Sequence, residues 1–104
     1  MPMQSSNFSD IPLKEKLHNE TAKIAWAELQ TFFAQGLLLL VQNKIDLIEV
    51  AIKFSEDQAA EIKTMLDDGR VGPPSNDQVR EWYANKTELW SVVVAPFVLV
   101  QEQR

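Results

Sequence analysis

Leu89-Trp-Ser-Val-Val-Val-Ala-Pro-Phe-Val-Leu-Val-Gln-Glu102 is the stretch on which the fold turns. Its β-branched and aromatic side chains suit a pleated, half-buried surface, which makes it the strongest strand signal in the chain. Pro96 interrupts it. The favoured two-residue hairpins need a positive φ that proline does not adopt. Pro96 is therefore expected in a wider turn or in a bent strand near a sheet edge.

Working outward, residues 37–41 form a continuous apolar run, Leu-Leu-Leu-Leu-Val, closed by Gly36 on one side and Gln42-Asn-Lys44 on the other. A run of that length suits a strand buried on both faces. Most of the remaining chain has helical spacing. Residues 10–20 place Leu13 and Leu17 on one face, with Ser9 or Asp10 as the cap and Pro12 in the opening turn. Residues 22–26 fit either a continuation of that helix or a brief extended link. Residues 28–35 align Leu29, Phe32 and Phe33, and Gly36 is placed to end the helix in the left-handed conformation.

Asp46 and Glu49 have capping-box spacing ahead of Leu47, Val50, Ala51 and Phe54, which form the inner face of a central helix. Ser55 and Gln58 repeat the signal, so a further helix over residues 58–68 is expected after a turn of a residue or two, ending at Gly69. Residues 70–74, Arg-Val-Gly-Pro-Pro, read as a loop. Ser75 and Gln78 then cap a helix whose inner face is Val79, Trp82 and Tyr83.

The whole chain has 104 residues, 10 Lys+Arg against 15 Asp+Glu, a formal charge of −5 and 45% hydrophobic residues. One domain fits this length, over residues 10–104, with residues 1–9 as a flexible tail. The absence of Cys excludes a disulfide scaffold and a cysteine nucleophile; the single His18 excludes a multi-histidine metal site. The start of the chain shows no signal peptide, and the longest apolar run is far short of the roughly 20 residues of a membrane span. A cytoplasmic protein is the expectation, with no cofactor, metal, membrane or nucleic acid called for.

Four blocks carry a resemblance: Glu20-Thr-Ala-Lys-Ile-Ala-Trp-Ala-Glu-Leu29, Phe32-Phe-Ala-Gln-Gly36, Asp46-Leu-Ile-Glu-Val-Ala51 and the 89–102 stretch. Together they resemble a small bacterial family catalogued as domain of unknown function twenty-two eighty-eight, over residues 13–102. The terminal block is the most specific part. The chain departs mildly from the family pattern at Ala25, where proline is common, and at Phe97, where tryptophan is common. The resemblance implies a single domain and carries no activity, cofactor or site residue with it.

Among chemistry-bearing patterns, the order of residues 46–71 is that of a helix-turn-helix, with residues 90–102 as wing strands. The would-be recognition helix opposes Glu56, Asp57, Glu61, Asp67 and Asp68 to Lys63 alone, which repels a phosphate backbone. The paired acids at 46/49 and 56/57 suit helix starts, whereas Asp67 and Asp68 stand at a helix end, against the dipole. His18 reads as a surface residue.

The expected fold is α+β: about four short helices on a small sheet of about three strands, antiparallel or mixed, with a winged-helix arrangement as the alternative. The expected function is a non-catalytic protein-interaction module, the alternatives being a winged-helix-like regulatory domain without strong DNA binding and a small enzyme with an acidic site. Its candidate surface is Trp26, Trp90, Val94, Pro96, Phe97 and Val98, an uncovered edge of the 90–101 segment whose simplest cover is a second copy of the chain. The competing arrangement has residues 22–26 or 37–41 flanking that segment on both sides.

Overall fold

The apolar run at residues 37–41 and the 89–102 block become neighbouring strands, and they are the middle of the molecule. The computed structural model describes residues 12–104, so the tail at residues 1–9 and the cap at Ser9 or Asp10 lie outside the described residues. In chain order the elements are α1 (Leu13–Glu20), β1 (Ala22–Ala25), α2 (Trp26–Ala34), β2 (Leu38–Val41), α3 (Leu47–Ser55), α4 (Ala59–Asp67), β3 (Val71–Gly72), α5 (Asn76–Asn85), β4 (Glu88–Val94) and β5 (Phe97–Gln101). The class is α+β, with five helices rather than four and five strands rather than three among the described residues. The strands form one mixed sheet in the order β1-β4-β5-β2-β3, in which β2 and β5 are parallel and the other pairs antiparallel.

Two-residue alternation along the strands supplies both layers of core. Leu39, Val41, Val92, Val94 and Leu99 face α1, α3 and α4, where they meet Leu17, Leu47, Ile48, Val50, Ala51 and Met65. Leu38, Leu40, Leu89, Val98 and Val100 face α2 and α5, where they meet Trp26, Leu29 and Trp82. The sheet is thus sandwiched between helical layers. Trp82 is 1% exposed; burying a ring of its size removes roughly 150–250 Å² from water, worth about 4–6 kcal/mol.

Local chemistry sets the element ends. The Asp46 carboxylate accepts from the Ile48 and Glu49 N–H groups, so α3 is capped as its spacing requires. Ser75 and Gln78 close a reciprocal capping box on α5. Gly36 ends α2 with φ +76°. Ser55 does not cap α4: it is the last residue of α3, and the turn is made by Asp57 at φ 57°.

The turn between β4 and β5 corrects the expectation for Pro96. Val94 pairs with Phe97, so the loop is only Ala95-Pro96, and its peptide bond is cis. A cis proline sits at the third position of a tight turn, where its fixed negative φ is accommodated.

The uncovered edge is corrected as well. β4 is flanked by β1 and β5, and β5 by β4 and β2, so the outer strands are β1 and β3. A wing is not what residues 90–102 form, because they are the centre of the sheet. The inner faces shift in two places: Phe54 is half-buried, and Tyr83 is 71% exposed.

Candidate functional site: an apolar groove beneath the β4–β5 turn

α3 ends at Ser55, and Phe54 at that end lays its ring edge-on against Phe97 of β5, with centroids 5.6 Å apart and an interplanar angle of 75°. The left-handed Asp57 then reverses the chain, and α4 returns across the sheet with Ile62 and Leu66 on its near side. Between α4 and the β4–β5 turn this leaves a groove of about 510 Å³, floored by Leu39, Phe54, Val94 and Phe97 and walled by Ile62, Leu66 and Pro96. Leu66 is 42% exposed on its lip. Asp57, Lys63 and Asp67 stand on the rim, with Lys63 and Asp67 paired at 2.7 Å. One cation against two anions leaves the rim acidic.

A second depression lies on the opposite layer, between α2 and α5. Trp26, 4% exposed, is its floor, and its ring meets Phe33 and Trp82 at 5.7 and 5.6 Å. Two hollows there, of about 750 and 530 Å³, share Trp26, Gln30 and the exposed Tyr83 in their linings.

The six surface candidates therefore do not make one surface. Val94, Pro96 and Phe97 come together in the first groove, and Trp26 floors the second. Val98 is 1% exposed and points into the α2–α5 layer, so it is core. Trp90 is half-buried on the α1 side, with the Lys23 ammonium 5.3 Å and the Arg104 guanidinium 5.7 Å from its ring centroid. Phe54, Ile62 and Leu66 are groove residues outside the six candidates, and the sequence placed Phe54 on the inner face of α3. The signal was Leu66, which extends the apolar stripe of α4 to its exposed end.

The acids at the end of α4 find a physical reason here. Asp67 pairs with Lys63 one turn back, and Asp68 accepts from both the Arg70 Nε–H and the Arg70 backbone N–H across Gly69. Hydrogen bonding from the Arg70 side chain, then from its backbone, holds the Asp68 carboxyl below the usual carboxylate range. The pair fixes the turn into β3. His18 is exposed, and its Nδ1 accepts from Arg104. Among the described residues, no group of three or more His, Asp or Glu is placed to hold a metal ion, and no helix is long and apolar enough to cross a membrane.

With this geometry in hand, comparison with known proteins places the chain. A family model described as "Protein of unknown function (DUF2288)" matches residues 12–102. The chain belongs to this family. The solution structure of PA1075 from Pseudomonas aeruginosa is similar over 99% of this chain and 94% of that one, at 37% identity with a TM-score of 0.74. The DUF2288 match ends at Glu102, so it takes in all five strands and both grooves. No curated protein matches the chain. The function of DUF2288 is unknown, and the family assigns no activity to either groove.

Proposed function

We propose that the protein is a non-catalytic interaction module of the cytoplasm whose docking surface is the groove beneath the β4–β5 turn. The observation that carries this is the lining: Phe54, Ile62, Leu66, Pro96 and Phe97 present apolar surface to solvent on a rigid frame of helix and central strand. A protein partner recognises such a surface by burying an aromatic or aliphatic anchor in it, inside a ring of polar contacts. The rim selects the flanks of that partner. Asp57 and Asp67 against Lys63, on a chain of charge −5, favour an apolar anchor flanked by Lys or Arg.

Selection from a displayed random-peptide library tests this. Enriched peptides should share one large apolar residue with basic neighbours, should shift the amide resonances of Ile62, Leu66 and Phe97, and should lose at least about tenfold in affinity to Leu66→Glu. Peptides without a basic flank, or resonance shifts confined to the α2–α5 side, would overturn the assignment.

A further inference from the structure

The outer strands of the sheet are not equally protected. β3 is two residues long and runs straight into Pro73-Pro74, which blunts it. β1 has no such guard among the described residues. The Trp26 N–H donates to the Thr87 carbonyl of the β4 side, at 2.9 Å. The alternation of an antiparallel pair therefore turns Ile24 and Ala22 toward β4 and aims the N–H groups of Lys23 and Ala25 outward. Neither outward N–H has a hydrogen-bond partner among the described residues. Lysine is the residue that commonly guards an edge, yet the Lys23 ammonium is drawn back over Trp90 of the neighbouring strand.

We propose that β1 pairs with β1 of a second copy, antiparallel about a two-fold axis at Ile24, to give one continuous ten-stranded sheet. Charge selects both the partner and the register. In this register Lys23 of one copy stands opposite Ala25 of the other, and Ala25 is the cross-strand partner of Glu88 on the same face. Lys23 and Glu88 of opposite copies are then two strand spacings apart, about 9–10 Å, with only a methyl group between them. Extended lysine and glutamate side chains span that gap. The two-fold axis makes the ion pair twice. Both residues are exposed, and neither has an ion-pair partner within its own chain among the described residues. The alternative register, with Lys23 on the axis, sets like charges face to face. The two Ile24 side chains, half-buried against the α2–α5 core, would meet across the axis and continue that apolar layer.

No residue of the groove takes part, so this pairing and the groove reading fail or stand separately. Sedimentation equilibrium of the full chain decides it. The wild type is expected to rise with concentration from 11.9 kDa toward twice that mass. Lys23→Glu should weaken association at least about tenfold, and adding Glu88→Lys to it should restore the wild-type constant, since the exchange re-forms the pair with its signs reversed. Ala25→Pro removes one outward donor at a position whose φ, −67°, already suits proline. It should stay at 11.9 kDa at every concentration with an unchanged melting curve. A wild type of 11.9 kDa up to roughly 1 mM would overturn the proposal, leaving β1 to a strand of another protein. Association that survives Ala25→Pro, or a charge exchange that restores nothing, would overturn it equally.

Discussion

Gln101 offers the sharpest test of how the end of β5 holds the middle of the chain. It is the last residue of β5, faces the α1–α3 side and is 1% exposed. Its Nε2 donates to the carbonyls of Gln42 and Ile45, at 2.8 and 2.6 Å, and so pins the loop that carries β2 into α3. Gln101→Leu keeps the volume and deletes both donors. Each bond contributes about 0.5–1.5 kcal/mol net, and a buried carbonyl left without a partner costs about 1–3 kcal/mol. Gln42 lies on an exposed turn where water can replace the donor, Ile45 is half-buried, and the leucine recovers some transfer energy. The sum is about 2 kcal/mol, a large share of a total of about 5–15 kcal/mol. Urea melts followed by tryptophan fluorescence should show a lower midpoint at unchanged slope. A loss below about 0.5 kcal/mol would refute the clamp. Gln101→Glu adds a sign to check. A carboxylate there faces two carbonyls in a buried site, so its folded pKa is raised. Its penalty should be small in acid and should grow as pH rises above roughly 4.3, where the unfolded chain ionises first.

Other outcomes follow from burial and capping. Trp82→Ala should cost about 3–5 kcal/mol, whereas Trp82→Phe should cost about 1–2 kcal/mol, through the lost volume and the indole N–H that donates to Glu102, by chemical denaturation. Phe54→Ala, at a half-buried site, should cost about 2 kcal/mol rather than the 3–5 of a fully buried ring. Asp46→Ala should cost about 1 kcal/mol through the lost α3 cap, and Asp46→Asn much less. Asp68 binds its proton less readily folded than unfolded, so its contribution is complete above the unfolded carboxylate range and disappears as pH falls through its depressed value. Arg70→Gln should bring the Asp68 carboxyl resonance back to the ordinary titration range.

The strands and helices that were legible in the sequence are those whose partners are local or whose pattern is long. Residues 37–41 could announce a doubly buried strand because both faces are apolar, and Ser75 with Gln78 could announce a helix start because a capping box is a four-residue device. β1 was legible only as a brief extended link and β3 only as a loop. Ala-Lys-Ile-Ala is short and carries one β-branched residue, Ile24, and it is extended because β4 pairs with it along its whole length. That pairing also decides the fate of the candidate surface. A 90–101 segment with apolar residues on both faces is equally compatible with an unpaired edge and with the centre of a two-sided sheet. Only the long-range register settles between them, and it buried Val98 while leaving Pro96 and Phe97 at the groove. Pro96 misled for a narrower reason: the positive-φ rule for tight hairpins applies to trans peptides, and Ala95-Pro96 is cis.

Large apolar side chains left in water show where helical cover stops. Among the described residues three are exposed: Leu66 at 42%, Val93 at 57% and Tyr83 at 71%. Tyr83 carries a hydroxyl that water satisfies, so its position asks little explanation. Leu66 and Val93 have no polar handle, and both adjoin the β4–β5 turn. Leu66 walls the 510 Å³ groove beside Pro96, whereas Val93, cross-strand from Val98, turns its side chain to the opposite, α2–α5 face of the sheet. If the fold needed these two side chains, replacing them would cost what a core truncation costs. If they serve a partner, the isolated chain should hardly notice. Leu66→Gln preserves helix propensity and Val93→Thr preserves β-branching, so each change removes apolar surface and little else. Each should alter stability by no more than about 0.5 kcal/mol, the range of ordinary surface substitutions. The pair should add, because one side chain sits on α4 and the other on β4. A double variant that loses more than about 2 kcal/mol in urea would make these residues part of the core and take Leu66 out of the apolar surface on which docking in the groove depends.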